Sequence, residues 1–228
     1  MKNVKGLIER MRNEFLDDTE GVASGDSKWT DGNLVSALNS AERELARRLF
    51  LISDTSTASI CRIDIASVEG VFPRSYASSG KIVKIDRLKY PGVTKPLPIT
   101  TMDVLDQKDP GWDERTGTPS AFILDADNFT ITFNRQPVVS GVVSLWVKRL
   151  PLNDLSVSNL NAYPEIKQYE DELIHGALKY AYLKDDNRTF DPVRAGIWGK
   201  QFNEDISLII RDKAARTPQE WVCSSEVW

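Results

Sequence analysis

The sequence predicts an α+β fold: a helical bundle built from the N- and C-terminal helices, an inserted small antiparallel β unit, and an extended C-terminal tail. Three observations predict it. Apolar residues recur at helical spacing near both ends, short alternating runs fill the middle, and the two patterns do not interleave. The expected boundaries are 1–54 and 160–216 for the bundle, 55–159 for the β-rich unit and 217–228 for the tail.

The first helix follows from Val4, Leu7, Ile8, Met11 and Phe15, which share one face opposite Glu9, Arg10, Arg12 and Glu14. Asp17-Asp18-Thr19-Glu20-Gly21 ends it. A second helix is predicted over about 31–52. Thr30 is placed to cap its free amides, Trp29 and Leu34 are spaced as a hydrophobic staple, and Leu34, Leu38, Ala41, Leu45, Leu49 and Ile52 carry the period. Beyond Asp54 the texture changes. Ile60–Ile65 and Ile82–Asp86 alternate, Phe122–Leu124 and Phe129–Phe133 flank a polar turn as a hairpin, and Gly141–Lys148 supplies another strand before Pro151. Helices return after Pro164, with a stripe through Ile166, Tyr169, Leu173, Ala177, Tyr180 and Leu183. Asp191-Pro192 then reads as an N-cap with proline in the first turn, opening a helix that runs to about Arg216 before Thr217-Pro218.

Composition narrows the function. The 228 residues hold one His and two Cys, too few for a Cys-based zinc cluster or a disulfide framework. No stretch approaches the roughly 20 apolar residues of a membrane span, so no membrane partner is expected. The formal charge of −4 argues against a whole-chain grip on nucleic acid and leaves room for a local basic patch. Arg43, Arg47 and Arg48, and Arg211, Lys213 and Arg216, form only modest basic clusters.

Catalytic chemistry finds little support. A Ser–His–Asp or Cys–His triad has only His175 to work with, on a predicted polar helix face where a solvated or interface histidine is expected. Asp125-Ala126-Asp127-Asn128 starts like a calcium loop, but Thr130 stands where the glycine belongs and Gln136 where the bidentate Glu belongs. No phosphate-binding glycine motif occurs. The acidic runs Glu170-Asp171-Glu172 and Glu204-Asp205 leave a cell-wall glycosidase as a distant alternative, since that chemistry needs only two carboxyl groups. The expectation is a protein without catalytic residues, cofactor or metal. Residues 217–228 stand out because Trp221, Val222, Val227 and Trp228 follow a proline stop. Tryptophan is enriched in binding hot spots, so the tail reads either as an anchor on a partner or as a segment folded back on its own bundle.

Trp29-Thr30-Asp31 opening the helix through Leu34, Ala41-Glu42 and Leu45 is followed by Trp112, Gly117, Pro119 and Phe122. Next come Asn134-Arg135-Gln136-Pro137, Val142–Val147, Pro151, and Tyr163-Pro164-Glu165 before the helix through Tyr169, Leu173, Gly176-Ala177 and Tyr180-Ala181. This succession, over about residues 4–185, resembles the head-to-tail adaptor (connector) proteins of tailed bacteriophages. The resemblance implies a virion structural protein of the neck, assembled in the bacterial host cytoplasm. Its subunits would form a ring, typically a dodecamer, under the portal protein, connect head to tail, and retain and then pass the packaged DNA. Expected partners are the portal, neighbouring adaptor subunits, tail, nozzle or tail-completion proteins, and genomic DNA running non-specifically through the lumen. Portal docking would suit Trp221, Val222, Val227 and Trp228, although these match no family motif. Arg47, Glu170 and Asp171, on polar helix faces, are candidate subunit-interface residues. A tail-completion or tail-hub protein is the nearest alternative.

Overall fold

Local capping signals set the helices of this chain, and long-range pairing sets its strands. The structure, a computed structural model, describes residues 2–16, 28–125, 129–184 and 188–216. In chain order its first elements are α1 (Val4–Arg10, continued by a π turn over Met11–Leu16), α2 (Asp31–Leu49), β1 (Ile52–Asp54), α3 (Ala58–Cys61), β2 (Arg62–Ile65), β3 (Ser75–Ala77) and β4 (Ile82–Lys89). Then follow β5 (Ile99–Thr100), α4 (Met102–Lys108), β6 (Phe122–Asp125), β7 (Thr130–Phe133), β8 (Gly141–Arg149), α5 (Glu170–Tyr182) and α6 (Pro192–Arg216). The chain divides into two compact units. One joins the described residues of 1–49 to those from 153 onward, and Phe50–Leu152 form the other.

In the helical unit, the starts of α1, α2 and α6 are held by side chains that satisfy otherwise orphaned amides, whereas α5 opens at Tyr169 without a side-chain cap. Asn3 accepts from the Gly6 amide at 2.9 Å, Thr30 Oγ1 from Asn33 at 3.2 Å, and Asp191 Oδ1 from Val193 and Arg194 at 3.1 and 2.9 Å. Trp29 and Leu34 are both buried, as a staple requires. Helix α2 stops three residues short of its apolar period because Phe50 takes a φ of +50°. Packing runs α2 on α5 and α5 on α6, around Leu38, Ala41, Leu45, Leu173, Ala177 and Phe202. Gly176 permits this approach: a Cβ there would lie 2.8 Å from Phe202 and 3.0 Å from Ala41. The buried Glu42 carboxylate accepts from the Ile166 amide at 3.1 Å and so ties the 164–166 turn to α2.

The other unit has two four-stranded sheets. Strand β8 is central in the first, paired antiparallel with β4 on one side and with β1 and β2 in succession on the other. The second has the order β3-β7-β6-β5. Their inner faces share a core that includes Ile63, Leu88, Val143, Leu145, Ile131 and Phe133. At the base of β8, Arg149 Nε donates to Asp54 Oδ2 at 2.5 Å, a pair almost wholly buried. Asp54 also accepts from the amides of Ser56 and Thr57 and from Thr57 Oγ1, so the two charges are neutralised and hydrogen-bonded together.

This architecture corrects the expected one. The fold is α+β, but it is not a helical bundle carrying a small antiparallel β unit. The β-rich part has two complete sheets, its own core, a helix at Met102–Lys108 and a parallel pair, β5 with β6. Strands of two to four residues such as β1, β3 and β5 are too short to show periodicity, and they exist because distant strands pair with them. Ile60–Ile65, expected as one strand, is a helical turn to Cys61 and a strand from Arg62. The expected tail, 217–228, lies outside the described residues.

Candidate interaction surfaces

The loop block Trp112–Pro137 is tied together by backbone-directed side chains. Arg74 donates to the carbonyls of Trp112 (3.1 Å), Phe133 (3.3 Å), Asn134 (3.0 Å), Arg115 (3.1 Å) and Asp113, and its guanidinium lies 5.6 Å over the Trp112 ring. Asn134 accepts from the amides of Ser120 and Ala121, both at 3.0 Å, and Gln136 Nε2 donates to the Phe72 carbonyl at 2.7 Å. Gly117, at φ +131°, lies where a side chain would be strained. The block therefore works as a structural clasp.

Glu170 and Asp171 open α5, where carboxylates complement the positive end of the helix. Both are engaged within the chain: Arg10 Nη1 donates to Glu170 Oε1 at 3.4 Å and to Asp171 Oδ1 at 2.5 Å, and the Lys2 amide donates to Glu170 Oε2. Arg47 is exposed near the end of α2, and no hydrogen bond or ion pair among the described residues joins it to either. Its neighbours on that face are spent locally, since Glu44 accepts from Lys179, Tyr180 and Arg48. Trp221, Val222, Val227 and Trp228 lie outside the described residues.

His175 is half-buried between α5 and α6. Its Nδ1 is 2.7 Å from Asp205 Oδ2, its ring stacks on Trp198 at 5.4 Å, and Gln201 donates to the other Asp205 oxygen. That arrangement holds two helices together, with Phe15 edge-on to both rings. Glu172 is also half-buried, and burial pushes its carboxyl above the ordinary range. Among the described residues no group of three or more His, Cys, Asp or Glu is placed to hold a metal ion, and no helix is long and apolar enough to cross a membrane.

Two open surfaces stand out among the described residues. On the helical unit, a groove of about 980 Å³ runs beside α6, lined by Leu183, Pro192, Ala195, Gly196, Gly199 and Leu208. Val193 and Ile197, on the same helix, are 72% and 61% exposed, an apolar exposure that a helix fully satisfied by its own unit would not carry. On the other unit, the outer face of the first sheet gathers Arg62, Lys84, Arg87, Lys89 and Lys148 around Trp146. Sequence reading missed this face because its residues come from three strands, and only the register of β8 brings them together.

The family model described as SU10 adaptor protein matches residues 2–222 of the chain. No curated protein sequence matches it.

Proposed function

We propose that this chain, which belongs to the SU10 adaptor protein family, is a structural component of a bacteriophage neck that forms a ring under the portal, links head to tail, and retains and then passes the packaged DNA. The observation that carries the reading is the extent of the match: one adaptor family accounts for residues 2–222, both units included. The ring is a dodecamer, with the portal on one side and tail, nozzle or tail-completion proteins on the other. Residues 217–228 dock on the portal through Trp221, Val222, Val227 and Trp228, aromatic and apolar groups suited to pockets on a partner. Neighbouring subunits meet through the helical unit. Arg47 is free of acidic partners among the described residues, while Glu170 and Asp171 present a carboxylate pair already oriented by Arg10. The exposed apolar side of α6 supports a role exercised through surfaces, since Val193, Ile197 and Leu208 stay open to solvent in the single chain. Assembly takes place in the host cytoplasm, and the mature protein resides in the virion neck.

Filled heads lacking this chain supply the test. They should leak DNA and fail to accept tails, and the purified protein should restore both. Heads that stay filled and accept tails without it would exclude the adaptor role.

A further inference from the structure

In an antiparallel pair, directly opposed residues project from the same side of the sheet. Val143, Leu145 and Val147 of β8 point into the core, so Val142, Ser144, Trp146 and Lys148 point out. The register sets Lys84 opposite Lys148, Arg87 opposite Trp146, and Lys89 opposite Ser144, with Arg62 facing Ser144 from the other edge. Five cations thus share one face with two nearby carboxylates, Asp64 and Asp86. Asp86 is occupied by Lys84 at 3.2 Å and Lys148 at 3.7 Å. Arg62, Arg87 and Lys89 are exposed and have no acidic partner among the described residues, and the Arg87 guanidinium lies 5.3 Å over the Trp146 ring. The row Lys89–Ser144–Arg62 spans two strand spacings, about 10 Å.

The overall negative charge conceals this surface. Segments 17–27, 126–128, 185–187 and 217–228 hold nine carboxylates and no Lys or Arg. The described residues therefore carry 29 basic against 24 acidic side chains, a formal +5 in a chain of net −4.

We infer that the outer face of this sheet binds the phosphate backbone of DNA without base specificity, through Arg62, Arg87 and Lys89. Lysine is depleted in protein–protein interfaces, whereas Lys84, Lys89 and Lys148 all stand on this face. Trp146 and Val142 are its apolar members, and Trp146 lies beneath a guanidinium. Exposed cations without acidic partners bind phosphates irrespective of base sequence. This deepens the DNA-handling part of the adaptor reading, but the assay uses only the chain and DNA, so its failure would leave portal docking untouched.

The test is fluorescence anisotropy of a short labelled duplex titrated with the full chain. Three neutralised phosphates give a salt slope of about −2.7, so affinity should fall roughly 40-fold between about 50 and 200 mM salt. The variant R62E/R87E/K89E should lose binding at the lower salt while keeping its melting temperature, because all three side chains are exposed. K5E/R43E/R211E, three exposed cations of the helical unit, should bind as the parent does. Absence of binding by the parent chain at the lower salt would overturn the proposal. So would intact binding by the sheet variant, or polyglutamate competing as well as DNA at equal charge, which would assign the face to an acidic protein.

Discussion

Gly176→Ala puts a methyl group where three helices meet, and the structure fixes the sign of its effect. The new Cβ would lie 2.8 Å from Phe202 Cε2, 3.0 Å from Phe202 Cζ and 3.0 Å from Ala41 Cβ. None of these neighbours yields easily: Phe202 is fully buried, and Ala41 Cβ is fixed to the α2 backbone. Alanine gains about 1 kcal/mol of helix propensity over glycine. Forcing extra volume into a packed core costs about 1–3 kcal/mol. The net expectation is a loss of about 1 kcal/mol, or about 2–4 °C in Tm for a chain of this size. Gly196→Ala on α6 is the matched control, since a Cβ there meets nothing within 4 Å. It keeps the propensity gain, so the two variants should differ by about 2 kcal/mol with opposite signs. Urea midpoints followed by circular dichroism measure both. A Gly176→Ala midpoint at or above that of the parent would refute the packing argument.

Three further predictions rest on the β-rich unit. Asp54→Asn strips the charge from the carboxylate that faces buried Arg149 and should cost about 3–5 kcal/mol in urea unfolding. Burial alone would raise the Asp54 carboxyl, but hydrogen bonds from Thr57, Ser56 and Arg149 outweigh it and hold it well below the usual carboxylate range. Its stabilisation is therefore complete above the unfolded value near 3.9 and is lost as pH falls from there toward the folded one. Acid titration should show that loss in the parent and its absence in Asp54→Asn. The Cys61 thiol, pushed up to about 11 by burial and then by its contact with Asp54, should resist thiol reagents at about pH 8 in a Cys223→Ser background, and react fast once unfolded in urea. Arg74→Lys loses the fork that reaches five carbonyls and should destabilise the unit by at least about 2 kcal/mol, with loss of the near-ultraviolet dichroism of Trp112.

What the sequence made legible was local. Thr30 with Trp29 and Leu34, and Asp191 with Pro192, announce helix starts within a few residues, and the structure realises both. The extent of the β-rich part was hidden because strands such as Ile52–Asp54 pair with partners some 95 residues away. Ile52 even continues the period of α2, and only the left-handed turn at Phe50 separates helix from strand. The candidate surfaces divide in the same way. Glu170 and Asp171 read as a charged helix start, but nothing near them in sequence points to Arg10, 160 residues earlier. The cationic sheet face is invisible in the sequence because Arg62, Arg87 and Trp146 become neighbours only through the β8 register. Net charge is uninformative for a related reason: nine carboxylates in four short segments turn the +5 of the described residues into a chain total of −4.

The most direct test of the adaptor account is native mass spectrometry of this chain mixed with the portal ring of its own virus, with and without residues 217–228. The account predicts mass added to the portal in steps of 25.6 kDa up to a complete ring, and loss of that binding on truncation. A portal that gains no mass from the full chain would contradict it.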